Sequence, residues 1–285
     1  MVLKNKILYR TGKKPILWDV HFNANGKKKP LIIFCHGYKG FKDWGCWDLV
    51  ADQFCKAELY FVKFNFSHNG GTTSDPIDFP DLEAFAENNY TKELEDLQDV
   101  LDHFTSKTSA YNNNIDTSDI TVIGHSRGGG ISIIKTKEDH RIKRLITWAS
   151  ICDFGKRTAT AGELEQWRKT GVKYVLNSRT KQNMPHNFQF YEDFKDNVQR
   201  LNIKSAIQQI SVPVLIIHAK DDPSVNYEEA ESLRSWNNEN SLLTVEHSNH
   251  VFDASHPWEH DKLPRALEGV VKESIRFIKA KSNTI

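Results

Sequence analysis

The chain has 285 residues, with 38 Lys and Arg against 37 Asp and Glu, 39% hydrophobic residues and 11% aromatic ones. That length suits one large α/β domain or two modest ones with a sizeable core, and a net charge of +1 gives no bulk electrostatic reason to expect nucleic acid or an anionic membrane surface as partner. No apolar run nears the roughly 20 residues of a bilayer span, and the opening MVLKNKILYR lacks the apolar stretch of about 7–15 residues that marks a secretion signal, so a cytoplasmic location is expected.

Along the chain, apolar runs alternate with helical patterns, as in a parallel sheet covered by helices. Segments 7–10 and 16–22 flank TGKKP and are expected to form an antiparallel hairpin. Further strands are expected at 31–35, 59–64, 120–124, 144–150, 214–219 and 241–246. The runs LIIFC and VLIIHA are continuously apolar, which suits strands buried on both faces. Trp47, Val50 and Phe54 mark one helix; Leu94, Leu97, Leu101 and Phe104 a second; Leu263, Leu267, Val270, Val271, Ile275 and Ile278 a closing one, by their 3.6-residue recurrence. Pro264 falls where a first helical turn tolerates proline, and 112–114 with 117–119 reads as a polar loop.

One interval breaks this rhythm. Residues 153–209 show no strong strand–helix alternation but carry Trp167, Tyr174, Val175, Met184, Phe188, Phe190 and Tyr191. So long a plain loop is unusual in a compact domain, and an inserted cap is expected, with a helix near 163–169 and a hairpin across 174–190. The four cysteines are expected to be free thiols. Cys46 and Cys55 lie too far apart along one helix to bridge, and Cys35 and Cys152 end apolar runs where buried free thiols are common.

The strongest chemical signal is ITVIGHSRGGG at 120–130. A strand running into Gly124-His125-Ser126-Arg127-Gly128 and then a helix is the setting of a sharp turn that exposes its central hydroxyl. The flanking glycines are expected because a Cβ there would strike a neighbouring element, and the helix N-terminus favours developing negative charge at Ser126. A tetrahedral acyl intermediate also needs two backbone N–H donors. Arg127, just after the nucleophile, and Tyr38, in the His36-Gly37-Tyr38 loop that ends strand 31–35, are placed to supply them. His36 is expected to brace that loop rather than titrate.

A serine hydroxyl needs an imidazole to take its proton and a carboxylate to orient that imidazole. Asp222 follows the apolar run 214–219 and is preferred over Asp221, which reads as a turn residue or a partner for Lys220. His250 follows the run 241–246 and is preferred over His247, because Val251 and Phe252 can anchor its loop in the core. The order Ser126, Asp222, His250 is the one a strand–elbow–helix hydrolase uses.

With HGYKG, GHSRGG, HAKDDPSV and SNHVF in place, the chain resembles the α/β-hydrolase fold family over essentially its whole length, and within it the cinnamoyl/feruloyl esterase and dienelactone-hydrolase-like branches. The resemblance implies an α/β fold, a mostly parallel sheet flanked by helices, forming a single domain over 1–285 with a small inserted cap at 153–209. It implies a cofactor-free, metal-free serine hydrolase of carboxylic esters acting through an acyl-enzyme, with the triad and oxyanion donors named above. True dienelactone hydrolases carry cysteine at the elbow; serine at 126 favours ordinary esters over lactones. Ala219 stands where these families usually have glycine.

Trp167, Tyr174 and Met184 are candidates for the acyl pocket. His256, Glu259 and His260 resemble zinc spacing only loosely, and Lys27-Lys28-Lys29 reads as a solvated turn. A small-molecule ester is the expected partner, and the protein is a monomer or homodimer. The rival readings are peptide or amide hydrolysis, or acyl transfer, on the same residues, and a non-catalytic hydrolase-fold binding module.

Overall fold

The structure is a computed structural model that describes residues 1–158 and 161–280. Ala159 and Thr160, inside the segment expected to form a cap, and residues 281–285 lie outside the described residues. In chain order the elements are β1 (Val2–Arg10), β2 (Lys13–His21), β3 (Lys29–Cys35), α1 (Trp47–Lys56), β4 (Tyr60–Phe64), α2 (Leu82–Ala86), α3 (Tyr90–Thr105), β5 (Ile115–His125), α4 (Arg127–Glu138) and β6 (Ile142–Trp148). They continue with α5 (Gly155–Thr158), α6 (Ala161–Thr170), β7 (Val172–Leu176), β8 (Asn183–Asn187), α7 (Gln189–Asp196), α8 (Ile203–Gln209), β9 (Val214–Ala219), α9 (Tyr227–Ser235), β10 (Ser241–Val245) and α10 (Arg265–Lys279).

Eight strands form one sheet in the order β1-β2-β4-β3-β5-β6-β9-β10. The hairpin β1–β2 and the β2–β4 contact are antiparallel, and the pairings from β4 to β10 are parallel. The parallel strands therefore deliver their carboxyl ends to one rim, where an open α/β sheet carries its chemistry. LIIFC shows how such strands are read: Leu31, Ile33 and Cys35 face one core with α3 and α4 residues, and Ile32 and Phe34 face a second with α1 and α10 residues. Period-two alternation puts neighbours on opposite faces, so a strand covered on both sides must be apolar throughout.

Several expectations shift at their edges. The first hairpin starts at Val2, and β5 begins at Ile115, so 117–119 is strand rather than loop. A register shift at Pro30/Leu31 lets β5 resume pairing at Ile120 past that polar stretch. Pro264 is the N-cap residue of α10, in extended backbone, one position before the helix. The interval 153–209 holds α5, α6, the β7–β8 hairpin and α7, then α8, whose Ile203, Ala206 and Ile207 share a buried cluster with Ile131 and Ile134 of α4. Thus α8 covers the sheet and only the earlier part stands over its rim.

All four cysteines are free, with Cys35, Cys46 and Cys152 buried. Over strands β2 and β4, Asp19, Asp43 and Asp48 converge. The ammonium of Lys63 fills that space, 2.8 Å from Asp19, 2.6 Å from Asp43 and 2.8 Å from Asp48. Lys42 adds contacts of 2.8 Å to Asp19 and 2.6 Å to Asp43. Among the described residues, no helix is long and apolar enough to cross a membrane.

Candidate active site

Ser126 sits between β5 and α4 with φ 56° and ψ −121°, a conformation that costs a non-glycine residue roughly 1–3 kcal/mol and persists only where its surroundings enforce it. The enforcement is visible. The Ser126 amide donates to Trp148 O at 2.9 Å, tying the turn to β6. A Cβ on Gly124 would lie 2.3 Å from Gly128 O, and one on Gly128 would lie 2.5 Å from both Cys35 O and His36 O. The two glycines thus let α4 start directly on top of β5 and beside the end of β3.

The loop after β3 is drawn against the same turn. A Cβ on Gly37 would meet Ser126 Cβ at 2.8 Å, so the backbone of 37–38 passes next to the serine. His36 fixes this loop: its Nδ1–H donates to Gly37 O at 2.9 Å and its Nε2 accepts from the Phe66 amide at 3.2 Å. That pair of bonds defines a neutral tautomer, and burial holds its pKa down to about 4. Among the described residues the Tyr38 amide and the Ser126 hydroxyl have no hydrogen-bond partner. The Arg127 amide is in the first turn of α4, where helix N–H groups lack intrahelical acceptors.

Asp222 and His250 meet. Asp222 Oδ2 is 2.8 Å from His250 Nδ1, and its Oδ1 accepts the amides of Ser224 at 2.8 Å and Val225 at 3.0 Å. His218 Nε2 donates to Val225 O at 2.8 Å and lies 3.3 Å from Asp222 Oδ2. Burial alone would raise the Asp222 pKa; the hydrogen bonds from His218, His250 and the Val225 amide outweigh it, and the carboxyl is held well below its usual range. Asp221 instead faces solvent with its Oδ2 3.8 Å from His247 Nδ1, while Lys220 lies over the Tyr227 ring. Phe252 is fully buried against the second core, and Ser248 donates to Asp253 while Asn249 accepts from the amides of Val251 and Asp253. These contacts shape the loop that presents His250.

A cavity of about 500 Å³ opens here, lined by both Ser126 and His250 together with Tyr38, Arg127, Val225 and, from the 153–209 segment, Lys173, Val175, His186 and Phe190. The three proposed acyl-pocket residues are not part of this lining. Tyr174 is 62% exposed, because the alternation of β7 turns Lys173 and Val175 inward and Tyr174 outward. Met184 is packed away with Phe41, Phe79 and Phe85. Trp167 is buried and donates from Nε1 to His186 O at 2.8 Å, so it braces the wall rather than forming it. His256, weighed as a metal ligand from spacing, accepts the Gly45 amide at 2.8 Å through Nδ1.

Three supports escaped the sequence reading. His125 Nε2 donates to the His250 carbonyl at 2.9 Å, its ring 4.8 Å from that of His250; burial, reinforced by His250, lowers its pKa to about 3. Its place inside the elbow motif was the available signal. His186 Nε2 shares a 2.7 Å hydrogen bond with Tyr38 Oη, linking β8 to the loop after β3. Glu93 lies 3.4 Å from the Arg127 guanidinium, which stacks 4.3 Å from the Tyr38 ring centroid; burial raises the Glu93 pKa despite that pairing. Neither of these two had a local motif.

Comparison with known proteins adds the family. The family model BD-FAE matches residues 80–237, more than half of the chain. No curated protein matches the chain by sequence. Among solved structures, Est1E from Butyrivibrio proteoclasticus with ferulic acid bound is similar, at 18% identity and a TM-score of 0.71 over 96% of this chain and 97% of that one. The α/β hydrolase GrgF from Penicillium is 15% identical, with a TM-score of 0.68 over 98% of both chains. A dienelactone hydrolase from Anabaena variabilis is 12% identical, with a TM-score of 0.62 over 97% of this chain and 95% of that one. The fold is that of the α/β hydrolases.

Proposed function

The chain belongs to the BD-FAE family, and from that premise we propose that it is a serine hydrolase cleaving small carboxylic esters through an acyl-enzyme. The observation that carries this reading is the 2.8 Å contact between Asp222 Oδ2 and His250 Nδ1 beside a cavity that Ser126 and His250 line together.

In the proposed reaction, Ser126 Oγ attacks the ester carbonyl and His250 Nε2 takes its proton. The carbonyl oxygen becomes an oxyanion, received by the amides of Tyr38 and Arg127, two donors of the kind worth about 2.7–4 kcal/mol each at the transition state. Asp222 fixes the proton on His250 Nδ1 and balances the imidazolium charge. The intermediate collapses, the C–O bond to the alcohol breaks, and His250 protonates that alcohol. Water, deprotonated by His250, then attacks the acyl carbon and regenerates the Ser126 hydroxyl. We further propose that the 153–209 segment, through its hairpin and α7, acts as a cap that walls the acyl side. A relative whose structure holds ferulic acid, a carboxylic acid, supports the choice of carboxylic ester.

Ser126→Ala should lower turnover of short p-nitrophenyl esters by at least about 10³-fold and abolish labelling by a fluorophosphonate probe. Parent protein that is folded yet neither labelled nor active on any ester would defeat the proposal. Faster turnover of amides than of matched esters would redirect it to amidase chemistry.

A further inference from the structure

The cavity carries a charge pattern that ester cleavage alone does not require. Four lining residues are cationic, Lys39, Arg127, Arg157 and Lys173, and among the described residues none of the lining is Asp or Glu. Two of them are matched by carboxylates outside the lining: Arg127 by Glu93 at 3.4 Å, and Arg157 by Glu229. The lysines differ. Lys39 Nζ lies 5.1 Å from the Tyr38 ring centroid and has no ion pair among the described residues. Lys173 Nζ donates to Thr158 O at 2.8 Å and sits 4.0 Å from the Trp167 ring centroid, with Glu163 adding attraction. Both are half-buried.

These charges share one cavity lining with His186. His186, in the same wall, is kept neutral first by burial and then by repulsion from Arg127, Lys173 and Lys39, with its pKa lowered to about 3. Like charges gathered around partly desolvated space repel one another more strongly than in water, and a bound anion relieves that repulsion. Groups that would merely tolerate a neutral acyl chain would not need this arrangement.

We propose that the cavity takes an ester bearing a second, anionic group, a carboxylate or a phosphate, and that Lys39 and Lys173 receive that group while the ester carbonyl lies at Ser126. The proposal rests on the esterase reading above for its reaction, and on the lining residues for its substrate class. Lys39 follows directly on Tyr38, whose hydroxyl bonds His186, so the Lys39 contact would lie on the Tyr38–His186 side of the cavity.

The test compares p-nitrophenyl esters of pentanoic acid, of glutaric acid and of the matching ω-phosphono acid, which differ in their far end. One or both charged esters should show kcat/KM about tenfold above the neutral one at low salt, the scale of one partly desolvated ion pair, with the gap closing as salt screens it. The two charged arms identify the anion. Lys39→Gln and Lys173→Gln should each cut the charged-to-neutral ratio about five- to tenfold, chiefly through KM, and Lys39→Arg should restore it. A ratio of one or less, or a ratio that the glutamine variants do not move, overturns the proposal while leaving esterase activity standing. A binding measurement separates the two readings: glutarate should bind Ser126→Ala protein in calorimetry, more weakly as salt rises. Failure of glutarate and of an alkyl phosphonate to bind there overturns the anion site whatever the esters do.

Discussion

Asp222→Asn changes one oxygen to an amide nitrogen and thereby tests what orients His250. Asp222 Oδ1 accepts two backbone N–H groups, from Ser224 at 2.8 Å and Val225 at 3.0 Å, while Oδ2 faces His250 Nδ1 at 2.8 Å. Asparagine has a single acceptor oxygen. The two backbone donors hold it at the Oδ1 position, because the flipped amide would aim its NH₂ at two N–H groups. The NH₂ therefore points at His250 Nδ1, where it can donate but not accept. His250 must then leave Nδ1 bare and carry its proton on Nε2, the atom that has to receive the proton of Ser126. The backbone bonds survive, so the fold should too. With the wrong tautomer in place, kcat should fall about 10⁴-fold, as in a Ser-His-Asp triad so altered, which is about 5 kcal/mol of barrier. The assay is kcat on a short p-nitrophenyl ester at neutral pH, with a thermal melt as the folding control. A folded variant retaining kcat within about tenfold of the parent would refute the orientation argument.

Two further predictions concern the frame of the site. Gly128→Ala places a Cβ 2.5 Å from the carbonyl oxygens of Cys35 and His36, backbone atoms that cannot swing aside; it should cost about 3 kcal/mol, the upper end of the usual overpacking range, and a Tm within about 2 °C of the parent would show slack at that contact. His36 is held to about 4, against an ordinary 6.5, so between those values the unfolded chain takes a proton that the native one refuses. The His36 contribution to stability should fall as pH drops through that window, by up to about 3 kcal/mol, and level off below it, while His125 and His186, lowered to about 3, carry the decline further. His36→Gln should flatten this part of the curve in denaturant titrations, and parallel curves for the two proteins would exclude the assignment.

What made the candidate site legible was constraint. Strands β3, β5 and β9 are covered on both faces, so LIIFC, ITVI and VLIIHA had to be apolar throughout. The elbow had to carry Gly124 and Gly128, because a Cβ at either would strike backbone. The acid and base loops end the next parallel strands, and parallel order fixes which rim they reach. At the edges the constraint weakens. Lys4, Asn5 and Lys6 of β1 are exposed on an edge strand, so no apolar pattern announces them, and Thr117-Ser118-Asp119 continues β5 where pairing is interrupted. The five-residue α2 is too short to display a helical period.

The cavity wall failed to show for a sharper reason. A two-stranded hairpin shifts every side chain to the other face if its phase moves by one residue, and β7 reads Val-Lys-Tyr-Val-Leu, apolar or amphipathic at each position. Aromatic size suggested Tyr174 as the inward residue; the antiparallel pairing of Val172 with Asn187 and Val175 with Met184 sets the alternate phase instead. Lys173 then faces the cavity beneath the tethered Trp167–His186 corner, and the wall is cationic where an apolar lining was expected. The proposed reaction class thus rests on an elbow whose glycines tolerate no Cβ, whereas the proposed substrate class depends on a register that only three-dimensional pairing fixes, and the charge selectivity proposed for Lys39 and Lys173 is the point at which that register becomes measurable.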